Sequence, residues 1–134
     1  MNIELTTKQF RRLLDMVYIG NWVLNSAREE DRIPDFDELE SYIFSHCEKL
    51  GMKSLSSKMS GIAVPSKEFS EGGIHEAIMD YEDAVFFGIL AEELAHRDLS
   101  AFGDVNDSDA FEAKAREYLA EFRENGLNNV NVDV

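Results

Sequence analysis

Glu93 and His96 stand three residues apart, a spacing that puts a carboxylate and an imidazole on one helix face, as in di-iron carboxylate bundles. That chemistry needs a second such pair and two further carboxylates on facing helices. His46 has no glutamate three residues before it, and His75 follows Glu71 by four across Gly72-Gly73. The pattern therefore predicts no metal site. The competing reading is a solvated face on which Glu92 pairs with His96 and Glu93 with Arg97 at i, i+4, each pair contributing about 0.2–0.5 kcal/mol. Cys47 beside His46 suggests a thiol activated by an imidazolium. Neighbours on a helix point about 100° apart, however, and Cys47 shares a stripe with Ile43 and Leu50, so a small buried hydrophobe is expected. Arg97-Asp98 and Asn21 make the candidate polar cluster. Buried together they would be functional, and otherwise they belong to helix-end networks. No nucleophile elbow, phosphate-binding glycine loop or dinucleotide fingerprint is present, so no catalytic, cofactor-binding or metal-ligating residue and no cofactor is predicted.

The segments that carry these groups read as mainly helical. Residues 80–99 read as a central helix, with Phe87, Leu90, Ala91, Leu94 and Ala95 on one face. Val85, Phe86 and Ile89 point the other way, and a helix apolar on nearly all sides is expected to be covered by its neighbours. Ala84, Gly88, Ala91 and Ala95 form a column of small residues against which another helix, the first above all, would come close.

Thr6 and Gln9 have capping-box spacing and open a first helix to about Ser26, with Phe10, Leu13, Leu14, Val17, Asn21 and Leu24 on its stripe. Asn21 lies within that apolar stripe and, if buried, needs hydrogen-bond partners. Met16, Ile19, Trp22 and Val23 make a second strip, the candidate interface for another helix or for a homodimer. Pro34 opens a helix over 34–50, capped by Asp35 with Glu38 and closed by Gly51, with Phe36, Leu39, Ile43, Cys47 and Leu50 buried.

Residues 52–66 show no helical period. Ile62 and Val64 alternate, as do Val130, Val132 and Val134, so a two-stranded pairing of these segments is the one candidate β element, the alternative being a frayed tail. The stretch also holds Lys53, Lys58 and Lys67 with no acid between Gly51 and Lys67. A short helix follows over 66–79, with Asp80 capping the central helix or marking a bend. Ser100 to Asp104 is a turn. Asp107 or Ser108 then caps a last helix with Phe111, Ala115, Tyr118, Leu119 and Phe122 buried, ending at Asn125-Gly126. Residues 127–134 are a tail. The expected fold is mainly α, a compact single domain (1–134) of about five helices with one short β pairing.

Charge is the most informative property of the whole chain. Of the net charge of −14, residues 68–134 carry nearly all, with seventeen acids and four bases against ten and nine in residues 1–67. Such a field repels phosphate backbones and anionic lipid and attracts basic partners, although an acidic surface also serves plain solubility. A chain of 134 residues buries roughly two thirds of its unfolded surface. One cysteine allows no internal disulfide and suits a reducing compartment. No basic leader with an apolar run and no stretch of about eighteen apolar residues is seen, and a cytoplasmic location is expected.

Tyr81-Glu82-Asp83, Phe86-Phe87, Leu90-Ala91 and Leu94-Ala95-His96-Arg97-Asp98-Leu99 resemble the signature helix of a family of small, acidic bacterial proteins, a domain of unknown function. Gly20-Asn21-Trp22-Val23 and Tyr42-Ile43-Phe44 are similar to its first two helices. The likeness spans about residues 10–126, and the chain departs from the motif at Phe87, Gly88 and His96. It implies a helical bacterial domain and says nothing about activity. Function is expected in three forms: a non-enzymatic domain that binds a basic protein through its acidic surface; an acidic mimic of nucleic acid that neutralises a basic DNA-binding protein; or an enzyme or metal protein of another type. No direct nucleic-acid or membrane binding is expected.

Overall fold

The computed structural model describes residues 1–103 and 106–134. The chain is mainly α with one short two-stranded antiparallel sheet, and it divides into two units, Met1–Ile78 and Met79–Val134. Asp104 lies outside the described residues.

The first unit opens with α1 (Thr7–Asn25). The capping box forms as expected: the Gln9 N–H donates to Thr6 Oγ1 at 3.2 Å, and the Thr6 N–H donates to Gln9 Oε1 at 2.9 Å. Helix α2 (Pro34–Phe44) departs from expectation at both ends. Pro34 takes the first helical position, so Ile33 is the N-cap and no side chain caps the helix. Asp35 and Glu38 therefore form no capping box. At the far end the helix stops at Phe44 rather than Leu50. There the backbone tightens into i, i+3 turns, with the His46 N–H donating to Ile43 O and the Cys47 N–H to Phe44 O. Gly51, at φ +75°, closes that run with the Met52 N–H bonded back to Cys47 O, the left-handed position that glycine accepts without a Cβ penalty.

The buried side of α2 is also not the expected one. Phe36, Leu39 and Leu50 are exposed, whereas Phe44 and Cys47 are fully buried. The inward face runs Asp37, Glu40, Ser41, Phe44, polar for its first two turns, and hydrophobic periodicity does not detect such a face.

Strands β1 (Ser56–Met59) and β2 (Ile62–Pro65) form an antiparallel hairpin, Met59 facing Ile62 across Ser60-Gly61. Both turn residues have positive φ, +53° and +80°, as a two-residue hairpin turn of primed type requires. The β pairing expected with Val130, Val132 and Val134 is thus replaced by a local one, and those residues belong to no strand. Strand β2 leans on α2, where the Ser41 hydroxyl donates to Ala63 O. Two of the three lysines of this stretch pair with acids, Lys53 with Glu48 and Lys67 with Glu71.

The core of the first unit is Phe10, Leu14, Phe44, Cys47, Phe69 and Ile74. Phe69 stands edge-on to Phe44 at 5.0 Å and to Tyr18 at 5.2 Å.

Ser66 caps a single turn, α3 (Lys67–Phe69), accepting from the Phe69 N–H. A π turn at Ser70–Ile74 then leads into α4 (His75–Phe102). The separate helix expected over 66–79 is therefore broken at Gly73, and Asp80 neither caps nor bends anything. Helix α4 likewise continues through Ser100–Phe102, where a turn was expected. Gly73 sits at φ +103°, which side-chain-bearing residues rarely adopt, whereas Gly72 does not. Gly73→Ala is therefore expected to cost about 1–2 kcal/mol and Gly72→Ala under about 0.5 kcal/mol, differences that urea unfolding measures directly.

In the second unit α4 pairs antiparallel with α5 (Ser108–Asn125). Phe87 meets Phe122 at 5.4 Å and His96 lies over Phe111 at 4.3 Å. Asp107 is the N-cap, its carboxylate accepting from the Asp109 and Ala110 N–H groups, and Gly126 is the C-cap. Ala91, Ala95, Ala115 and Phe122 are buried, but Phe86 and Ile89 are 47% and 57% exposed. Among the described residues of the second unit, no element covers that side of the helix.

Candidate functional site

The best-organised polar site lies where α1 meets α2. Two asparagines one turn apart, Asn21 and Asn25, are both buried. Asn25 fixes the entry to α2 from a distance. Its amide donates to Ile33 O at 2.9 Å and to Asn21 Oδ1 at 2.8 Å, and its own oxygen accepts from the Ile33 N–H at 2.8 Å. Asn21 in turn donates to Asp37 Oδ1 at 3.0 Å. Arg32 grips Asp37 with two nitrogens, Nε to Oδ2 at 2.6 Å and Nη2 to Oδ1 at 2.7 Å. This bidentate bond holds the Asp37 carboxyl below its ordinary range, against the opposing effect of burial.

Beside this network Tyr18 and His75 share a 2.7 Å hydrogen bond between the phenol oxygen and Nε2. The Trp22 ring lies 4.7 Å from the His75 ring. Burial, with the Glu40 charge adding to it, raises the Tyr18 phenol. Tyr18, Asn21, Trp22, Ser26, Arg32 and Glu40 line a cleft of about 310 Å³.

Glu40 is the most perturbed carboxyl here. Burial raises it from 4.5 to about 6, with Asp37 adding to the rise and Asn21 and Arg32 opposing it. A carboxyl raised in the folded state contributes stability that is complete below its unfolded value and is lost as pH rises through the folded one. Glu40→Gln is thus expected to stabilise the protein by about 1 kcal/mol at pH near 8, discounted for partial exposure, and to have little effect near pH 4. Urea unfolding of both proteins at the two pH values checks it.

Of the sequence candidates, Asn21 belongs to this network. Arg97 and Asp98 belong to another, between α4 and α5: Arg97 pairs with Asp98 at 2.8 Å, and the Tyr118 hydroxyl donates to Asp98. The Tyr118 bond, with Arg97 second, holds the Asp98 carboxyl below its ordinary value. The α1 strip divides. Ile19 packs on the core, Trp22 sits on His75, and Met16 and Val23 are exposed. Cys47 is fully buried and burial raises its thiol, opposing activation. Glu93 and His96 are exposed, and among the described residues no three His, Cys, Asp or Glu side chains cluster to hold a metal.

Asn25, Arg32, Asp37, Glu40 and Tyr18 escaped the sequence reading, and His75 entered it only as a rejected metal-ligand partner of Glu71. The usable signal was a pair of asparagines at i, i+4 near the end of an apolar stripe. No protein family, curated protein or solved structure matches the chain, so the resemblance has no support beyond residues 20–23, 42–44 and 81–99 that carry it. Among the described residues no helix is long and apolar enough to cross a membrane.

Proposed function

We propose that this chain is a non-enzymatic protein-binding domain of the cytoplasm, and that the second unit docks a basic amphipathic segment of another protein. The observation that carries this reading is the outer face of α4. Met79, Phe86 and Ile89 are exposed there, and helical spacing interleaves them with Glu82 and Glu93. Residues 79–134 hold fourteen acids against four bases. An apolar stripe edged by carboxylates complements a helix that carries leucine-like residues on one side and lysine or arginine beside them. The reducing compartment rests on the single buried cysteine.

A nucleic-acid mimic is the weaker alternative, because Phe86 and Ile89 at the centre of the face have no counterpart in a phosphate backbone. Affinity capture from a nuclease-treated lysate, washed across a salt series, tests the reading. A basic protein held by wild type, released by salt and lost when Phe86→Ser and Ile89→Ser are combined is the expected result. Capture indifferent to both substitutions, or none, contradicts it. A wild type that runs as a dimer, broken by Met16→Glu, would assign the exposed α1 residues to self-association.

A further inference from the structure

Among the described residues, the cleft between α1 and α2 leaves one carboxylate without a cation of its own, Glu40, which has only the Asn21 amide beside it as a hydrogen-bonding group. Asn21 serves Asp37 and accepts from Asn25, Arg32 holds both oxygens of Asp37, and the Tyr18 hydroxyl is bonded to His75. Glu40, half-buried in the same wall, has no ion-pair partner among the described residues. Arg32, the cation beside it, is already neutralised by Asp37. A carboxylate taken partly out of water without a cation is an unfavourable arrangement that a cationic ligand relieves.

The surroundings say what kind of cation fits. On one side of Glu40 the cleft is walled by Tyr18 and Trp22, the indole 36% exposed, and aromatic faces attract ammonium groups. On the other side Glu40 and Arg32 also line a larger hollow of about 800 Å³, whose apolar wall is Met59, Ile62 and Val64 of the hairpin. The two hollows thus meet at one carboxylate, with aromatic rings on one side and hydrocarbon on the other. An anion would meet Glu40 with no free positive group to offset it. A hard metal ion would need six or more oxygen ligands, which this wall does not supply.

We propose that the Glu40 cleft binds an alkylammonium ligand, its charged head at the Glu40 carboxylate beside Tyr18 and Trp22 and its hydrocarbon chain along Met59, Ile62 and Val64. The groups facing Glu40 are Asp37, Arg32 and Tyr18, with His75 one bond further on through Tyr18. Protons compete with the ligand, so binding weakens as Glu40 is neutralised below about pH 6. The site lies in the first unit and the α4 docking face in the second, so the two readings fail independently.

Trp22 is the only tryptophan of the chain, and its fluorescence reports on the cleft directly. The test titrates the protein with n-hexylammonium, using n-hexanol and hexanoate as neutral and anionic probes of the same chain length. A saturable change is expected with the amine alone near pH 8, about tenfold weaker near pH 5 where only about one Glu40 in ten is ionised, and lost in Glu40→Gln. An equal response to hexanol, unchanged amine binding in Glu40→Gln, or no saturable response to the amine overturns the proposal. Circular dichroism establishes whether Glu40→Gln folds. If it does not, the comparison of amine with alcohol on the wild type decides.

Discussion

Asn25→Ala is expected to destabilise the protein by about 3 kcal/mol, more than any other polar substitution in the first unit. Asn25 is fully buried and makes three hydrogen bonds, two of them to the backbone N–H and C=O of Ile33. Truncation leaves both backbone groups and the Asn21 carbonyl oxygen short of partners, each at roughly 1–3 kcal/mol if water does not enter. Because Ile33 is the N-cap of α2 and no side chain caps that helix, the loss also frees the α1–α2 connection. Urea unfolding followed by Trp22 fluorescence measures the effect. A loss under about 1 kcal/mol would mean that water replaces the amide without penalty and that Asn25 does not anchor α2.

The second large effect is at Phe69. Its ring is almost fully buried, edge-on to Phe44 and Tyr18, with the Arg11 guanidinium 5.1 Å from its centroid. Phe69→Ala is expected to cost about 4 kcal/mol, the sum of lost transfer energy and the cavity left behind. Tyr18 leans on the same ring, so the variant should also disturb the Tyr18–His75 bond and shift the emission of Trp22 at equal folded fraction. Phe69→Leu should recover more than half of the stability, because most of the volume returns. Equal losses for the two variants would show that edge geometry rather than volume matters at this position.

At α1 and α5, whose ends are set by local chemistry, sequence reading was enough. Thr6 with Gln9 opens α1, Asp107 opens α5 and Gly126 ends it, because a capping residue and the N–H groups it satisfies are neighbours in the chain. The mainly helical class follows from the same signals. The elements missed are those decided by distant partners. Asp37 and Ser41 turn inward on α2 because Asn21, Arg32 and the Ala63 carbonyl wait there, and Glu40 shares their face; no periodicity of apolar residues points to such a face. The apolar pattern of Ile74, Ala77, Ile78 and Tyr81 is continuous with that of α4, so only the φ of Gly73 tells where the helix begins. The hairpin was signalled by Ser60-Gly61, but the alternation of Val130, Val132 and Val134 competed for the same strand.

The candidate site was half legible. Asn21 stood out as a polar residue on an apolar stripe, but its partners sit on another helix and in the connection before it. Arg97 and Asp98 stood out as a pair, and the Tyr118 hydroxyl that completes them comes from α5. Composition also misled at Phe86 and Ile89. An apolar residue on a helix predicts a cover, and hydrophobicity alone does not distinguish a cover within the chain from one supplied by a partner.

The exposed face of α4 is proposed to recognise a basic amphipathic helix. The most direct test is a titration of a fluorescently labelled lysine–leucine amphipathic peptide, with the glutamate–leucine peptide of the same pattern as its counterpart. Saturable binding is expected of the basic peptide alone, weakened as salt rises, and about thirtyfold weaker when Phe86→Ser and Ile89→Ser are combined, the loss of roughly 2 kcal/mol expected for an aromatic anchor. Binding of both peptides alike, or of the basic peptide undiminished by the two substitutions, would contradict it and leave the acidic surface as a solubilising one.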